Sequence, residues 1–108
     1  MPRSTRMLSE EELAVVLSVS KLALPADLQI KEIKFEERDD STGEPIIEVY
    51  AIFDDAVPDE VMSWARMEPV YEAIRTALLS AGETRYMMFT VMHRTDFDDR
   101  YNYDPAFD

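Results

Sequence analysis

Residues 45–53 read PIIEVYAIF and are apolar at nearly every position. Every second residue from Ile47 to Phe53 is apolar, and Tyr50 and Ile52 between them are apolar as well. A period of two is typical of a β-strand, and a strand that is apolar on both faces belongs in the interior of a sheet. We therefore expect a central strand over residues 46–53.

A second alternating stretch precedes the central strand. Ile33 and Phe35 are apolar and their neighbours are charged, and the segment DDSTGEP, residues 39–45, separates the two stretches. Its Asp, Ser and Gly residues are typical of turns, and Gly43 can adopt a positive φ. The sequence therefore predicts a β-hairpin. Ile30 is out of phase with Ile33, which predicts a β-bulge or a late start of the first strand.

The N-terminal segment predicts a helix. Ser9 and Glu12 have the spacing of a capping box, in which each side chain accepts a hydrogen bond from the other residue's backbone. Apolar residues with helical spacing follow, and Pro25 ends the pattern. We expect this helix to span about residues 10–23.

A second helical region covers residues 58–81 and contains Pro69. The proline either kinks one helix or separates a helix over 58–67 from another that begins at Pro69. We favour two helices joined almost without a loop, since an interior proline costs about 3 kcal/mol. Gly82 stands where a left-handed C-cap would end the region.

Residues 83–95, ETRYMMFTVMHRT, predict a third strand. After a helical crossover this strand should run parallel to residues 46–53. The order α-β-β-α(α)-β predicts an α+β fold, a single two-layer domain with a mostly antiparallel sheet and helices on one face. We assign residues 1–95 to this domain and residues 96–108 to an acidic and aromatic C-terminal tail.

Charge and composition exclude several classes of protein. The 108 residues carry a formal net charge of -12, which repels phosphate backbones, so we expect no nucleic-acid partner. The apolar stretch Leu13–Val19 is too short to span a bilayer and Lys21 follows it closely, so we expect no membrane partner and a cytoplasmic location. The lack of cysteine excludes disulfides and thiol nucleophiles.

Few side chains have the pattern of a catalytic site. His93 is the single histidine and would need a carboxylate partner for acid-base chemistry, so we favour a surface or packing role. Arg85 and Arg94 form either surface ion pairs, with Glu48 as a candidate partner, or part of a ligand site together with His93. We assign no catalytic residue, metal or cofactor, and we favour a binding protein over an enzyme.

Helices on one face of a three-stranded sheet would leave apolar side chains uncovered on the other, and such patches mark partner surfaces. Trp64 lies on a short amphipathic helix, where its ring either fills the core or anchors an interface. We expect the partner-binding residues on the sheet, on this helix and in the tail: Tyr50, Ile52, Trp64, Tyr86, Met88, Met92, Phe97, Tyr101 and Tyr103.

The C-terminal stretch RTDFDDRYNYDPAFD, residues 94–108, mixes acidic and aromatic side chains. Its rings can pack back on the uncovered sheet face or dock on another protein, and disorder is the third possibility. Asp96, Asp98 and Asp99 resemble half of a cation site, but they lack the glycine and the glutamate of an EF-hand loop, so the match is weak.

These patterns favour a small acidic module that binds a basic or amphipathic protein partner, in a neutralising or adaptor role, because opposite charge speeds capture. The uncovered sheet face also predicts a homodimer. The alternative is a small-molecule-binding or enzymatic α+β domain with a pocket between sheet and helices, lined by Tyr50, Tyr86, Arg85, His93 and Arg94. A subunit of a larger particle is a third possibility.

Overall fold

The structure is a computed structural model that describes residues 7–22, 24–25 and 28–99. Its elements are, in order, α1 (Glu10–Val16), β1 (Ile30–Asp39), β2 (Pro45–Phe53), a 3₁₀ helix (Asp59–Met62), α2 (Trp64–Ser80), β3 (Tyr86–His93) and α3 (Arg94–Asp99). The predicted α+β class and the order helix, hairpin, helix, strand are confirmed.

The sheet has three strands in the order β1-β2-β3, so β2 lies at its centre as predicted. β1 and β2 form an antiparallel hairpin, and β3 runs parallel to β2 after the helical crossover. The sheet is therefore mixed. The register of the hairpin shifts between Ile30 and Glu32, which confirms the bulge predicted from the phase change.

The hairpin turn forms through local hydrogen bonds. The Asp40 carboxylate accepts hydrogen bonds from the backbone N–H groups of Thr42, at 2.8 Å, and Glu44, at 3.0 Å. Gly43 adopts a φ of 89°, which other residues rarely do. These bonds lower the pKa of Asp40, with the Thr42 hydroxyl as the largest cause.

The predicted capping box begins α1. The Ser9 hydroxyl accepts from the Glu12 N–H at 3.1 Å, and the Glu12 carboxylate accepts from the Ser9 N–H at 2.9 Å. However, α1 ends at Val16, well before residue 23. Valine and serine, which follow in alternation, have low helix propensity, and the chain continues as turns instead.

The prediction of a helix break at Pro69 is wrong. The break lies at Ser63, between the 3₁₀ helix and α2, and Pro69 lies inside α2. Proline cannot donate to the carbonyl of Ala65, but both residues are exposed, so water can satisfy that carbonyl. Gly82 adopts a φ of 94° after α2, and the N–H of Glu83 donates to the carbonyl of Leu78 at 3.0 Å, which confirms the predicted C-cap.

The main core lies between the sheet and the first two helices. Four side chains of β2 face this layer, and α1 and α2 cover them with apolar stripes of their own. The core includes Ile47, Val49, Ala51 and Phe53 from β2, Leu13 and Leu17 from the N-terminal segment, and Met67, Val70, Ile74 and Leu78 from α2. None of the helices within the described ranges is both long and apolar enough to cross a membrane.

The second face of the sheet is partly covered by α3. Tyr50 and Ile52 point to this face and are buried, so the expectation that both lie uncovered is wrong. The ring of Phe97 on α3 meets the ring of Tyr50 edge to face, with centroids 5.3 Å apart. The first six residues of the stretch 94–108 thus form a helix against the sheet, and the prediction for the rest falls on residues outside the described ranges.

We predict that Ile47→Ala lowers the free energy of unfolding by about 2 to 5 kcal/mol, because Ile47 is fully buried at the centre of the sheet and the substitution leaves a cavity. Val15→Ala is the control, since Val15 is an exposed aliphatic residue on α1 and its loss should change stability by less than about 0.5 kcal/mol. Urea unfolding followed by Trp64 fluorescence measures both. Equal effects would contradict the assignment of the core.

Candidate protein-binding groove

An apolar groove runs between α2 and the outer edge of β3. One part has a volume of about 430 Å³ and is lined by Trp64, Tyr71, Tyr86, Met87, Met88 and Phe89. A second part of about 270 Å³ shares Tyr71, Tyr86 and Met87 with the first and extends to Arg75, Leu78, Leu79, Glu83 and Arg85. We refer to the two parts together as the α2-β3 groove.

Three aromatic rings form the wall of the groove. Trp64 and Tyr71 are seven residues apart on α2, so they lie on the same side of the helix. Their ring centroids are 5.8 Å apart, and the ring of Tyr71 lies 5.8 Å from that of Phe89 on β3. Such pairs are worth about 0.5 to 1.5 kcal/mol beyond burial, so they hold the wall in place. Trp64 is nevertheless 57% exposed, which separates it from the core.

β3 forms the floor of the groove. Tyr86 is 70% exposed and Met88 is 39% exposed, and both point to the second face of the sheet. Met87 and Phe89 point to the opposite face, towards α2, and pack against the core. Side chains from both faces of β3 therefore line one groove, which means that the groove follows the outer edge of the strand.

A buried ion pair fixes the chain where β3 begins. Arg85 donates from Nε and Nη2 to the two carboxylate oxygens of Glu83, both at 2.9 Å, and from Nη1 to Glu37 on β1 at 2.8 Å. The backbone N–H of Leu8 donates to Glu83 at 2.9 Å, and the Leu8 carbonyl accepts from Arg85 at 3.1 Å. The pair thus joins β1, the start of β3 and the segment before α1.

The electrostatics of this pair favour ionised Glu83. Burial by itself raises the pKa of the Glu83 carboxyl, but the hydrogen bonds from the side chain and backbone of Arg85 and from the backbone of Leu8 outweigh it and lower the pKa to about 2. In turn, the Glu83 carboxylate raises the pKa of Arg85. Breaking one partner would leave the other charge buried and poorly paired, which is strongly destabilising.

Sequence reasoning did not find this pair. Glu48, the suggested partner of Arg85 or Arg94, pairs with Arg38 at 2.8 Å. Glu83 and Arg85 are two residues apart in the bend before β3, and the Glu83 carboxylate also accepts hydrogen bonds from the backbone N–H groups of Thr84 and Arg85, at 3.0 and 2.9 Å. The pair could have been predicted from the pattern Glu-x-Arg directly after a C-capping glycine.

The carboxyl ends of β2 and β3 carry a second group of polar contacts. His93 Nε2 lies 2.7 Å from the carbonyl oxygen of Val57, and Arg94 donates to Glu32 at 2.5 Å. The Asp55 carboxylate accepts from the side chain and the backbone of Thr95, and these bonds lower the pKa of Asp55. The contacts tie the loop after β2 to the start of α3.

The structure does not bring the predicted ligand-binding residues together. Arg85 precedes β3, whereas His93 and Arg94 lie at its other end. Each contacts a different group, namely Glu83 and Glu37 for Arg85, the Val57 carbonyl for His93 and Glu32 for Arg94. Within residues 7–22, 24–25 and 28–99, no three acidic or histidine side chains are arranged to hold a metal ion.

The predicted partner-binding residues fall into three groups. Trp64, Tyr86 and Met88 line the α2-β3 groove. On the second face of the sheet, Tyr50 and Ile52 are buried, while Met92 on that face and Phe97 on α3 are half-buried. Tyr101 and Tyr103 lie outside the described residues.

No protein-family model matches the chain, and comparison with curated proteins and with solved structures finds no significant match.

We predict that Glu83→Gln weakens the pH dependence of stability. Because the pKa of Glu83 falls from its usual 4.5 to about 2 on folding, the ionised group stabilises the fold above about pH 5 and this stabilisation is lost as the pH falls towards 2. Wild-type protein should therefore lose roughly 3 kcal/mol more than the variant over this window.

Urea unfolding between pH 7 and pH 2 measures the difference. Glu11→Gln, an exposed position on α1, is the control and should keep the wild-type profile. If Glu83→Gln and Glu11→Gln have the same profile, Glu83 does not hold the lowered pKa.

Proposed function

We propose that the protein is a small acidic interaction module that binds a protein partner with apolar and basic residues in the α2-β3 groove. The observation that carries this proposal is the exposure of Trp64, Tyr86 and Met88 in one continuous groove. Binding would remove these side chains from water, at about 25 cal/mol for each Å² of apolar surface buried.

The residue types in the groove support a protein partner. Tryptophan and tyrosine are enriched among the residues that contribute most binding energy at interfaces, and methionine adapts to partners of different shape. Trp64 and Tyr71 are already held by their ring contact, so less conformational entropy is lost on binding. The groove is thus organised before the partner arrives.

Charge supports a basic partner. The formal net charge of -12 creates a negative potential that attracts and steers a basic protein, and salt weakens this attraction. A protein of opposite charge would be captured quickly, as a neutralising or regulatory role requires.

The burial of Tyr50 and Ile52 removes two of the side chains on which a homodimer through the sheet face would form, so we place the partner at the groove instead.

We predict that Met88→Lys lowers capture of the partner about tenfold or more, because it places a charge in the groove. Met7→Lys is a matched control, since Met7 is 55% exposed and does not line the groove, and the change in net charge is the same. The measurement is affinity capture from an extract of the protein's own cells, quantified at low and at high salt.

The same bound protein should be retained by wild type and by Met7→Lys, and high salt should reduce its amount. Capture that is equal for Met88→Lys and Met7→Lys, or that does not depend on salt, contradicts the proposal. A wild-type protein that retains nothing from the extract contradicts it as well.

A further inference from the structure

We propose that the partner binds as an added β-strand, an extended segment that pairs with the outer edge of β3. Its apolar end lies beside Tyr86 and its basic end lies beside the carboxyl end of β3. This inference rests on the proposed function and specifies the conformation, the position and the chemistry of the bound segment.

The outer edge of β3 is open among the described residues. β3 pairs with β2 on one side, and no strand among the described residues pairs with its other side. In a strand paired on one side, alternate residues direct their N–H and C=O groups outwards, where they can accept a further strand. The α2-β3 groove follows this edge, since it is lined from both faces of the strand.

The two edges of the sheet differ in the number of charged side chains that they carry. β1, at the other edge, has charged side chains along most of its length: Lys31, Glu32, Lys34, Glu36, Glu37, Arg38 and Asp39. Charged side chains of this kind discourage pairing with another chain. β3 reads YMMFTVMH and has no acidic residue, lysine or arginine. Only the β3 edge is therefore chemically suited to strand addition.

α2 contributes Trp64 and Tyr71 to the groove along this edge. The two rings contact one another, and Tyr71 contacts Phe89 on β3. A strand next to β3 would lie about 4.8 Å away, and alternate side chains would point towards these rings. These side chains would then cover the rings of Trp64 and Tyr71, in the same way that the side chains of β2 pack against α1 and α2 in the core.

The charges around β3 define the polarity of the bound segment. Acidic side chains outnumber basic ones at its carboxyl end, where Arg94 pairs with Glu32 and Lys31 with Asp54. Asp59 Oδ1 lies 3.9 Å from His93 Nε2. The exposed acidic residues in the loop after β2, in the 3₁₀ helix and on α3 are Asp54, Asp55, Asp59, Glu60, Asp96, Asp98 and Asp99. At the amino end of β3 the groove is lined by Arg75 and by Arg85 with its partner Glu83. Basic residues of a partner strand therefore belong beside the carboxyl end.

Charge also decides against a second copy of the chain as the occupant. Two molecules with a net charge of -12 repel one another, whereas a basic segment is attracted.

The alternative conformation for a basic partner segment is an amphipathic helix in the same groove. It would use side chains at positions i, i+3, i+4 and i+7 and make no ladder of main-chain hydrogen bonds.

Selection of random peptides displayed on phage against the immobilised full-length chain tests the inference. We expect enriched peptides to alternate apolar and polar residues, with lysine or arginine at one end. N-methylation of the backbone nitrogens that face β3 should lower affinity about tenfold or more, whereas N-methylation of the intervening nitrogens should have little effect. Met88→Lys should abolish binding of the same peptides, and Met7→Lys should not.

The polarity is tested with two charge reversals of equal size. Asp59→Lys with Asp96→Lys changes the carboxyl end of β3, and Glu10→Lys with Glu11→Lys changes exposed acidic residues on α1, beside β1 at the opposite edge. The first double variant should weaken the enriched peptides about tenfold more than the second. Equal losses would show that only the overall charge matters and would overturn the polarity.

Other results separate this inference from the proposed function. Peptides with helical spacing that depend on Met88 and tolerate N-methylation would overturn strand addition and leave the interaction module standing. Failure to enrich any peptide that depends on Met88 would overturn the inference, and would overturn the function too if the extract also yields no partner. A dimer in size-exclusion chromatography that Met88→Lys dissociates would identify a second copy as the occupant and overturn the inference.

Discussion

The structure depends on one constraint, which is that the central strand β2 is apolar on both faces. Each face needs an apolar cover, because exposed hydrocarbon on a central strand would cost free energy in water. α1 and α2 cover one face with their apolar stripes, and α3 places Phe97 against Tyr50 on the other. The helices are thus arranged around β2. β3, at the edge of the sheet, keeps Tyr86 and Met88 exposed.

Because the second face of β2 is covered, we place the proposed interaction surface at the edge of the sheet, whereas the sequence predicted it on a face. An edge offers main-chain hydrogen bonds as well as apolar side chains, so it can bind an extended chain in a defined register. The ion pair of Glu83 and Arg85 holds the start of β3, and the contacts of His93 and Arg94 hold its end. A strand fixed at both ends would present its edge to the proposed partner without reorganisation, which would lower the entropic cost of binding.

The candidate site was predictable in part. Trp64, Tyr86 and Met88 were among the residues expected at a partner surface, and all three are exposed and line the groove. Tyr86 and Met88 lie on the face of β3 that α1 and α2 do not cover. Tyr50 and Ile52 were misplaced since their cover, α3, has the sequence RTDFDD, which has little helix propensity and one apolar residue. A contact between Phe97 and Tyr50 across so many residues leaves no local pattern. The groove itself, made by α2 and β3 together, was not predicted.

By itself, the sequence determined the elements whose signals are local. Period-two alternation determined the strands, the pair Ser9 and Glu12 determined the start of α1, and Gly82 determined the end of α2, because each depends on residues a few positions apart. The positions of β1 and β3 at the two edges of the sheet, and the hydrogen bond between Leu8 and Glu83, 75 residues away, follow from the tertiary structure alone. Those features depend on the order of the strands in the sheet and on which side chains are buried, because both bring residues into contact that are far apart in the sequence.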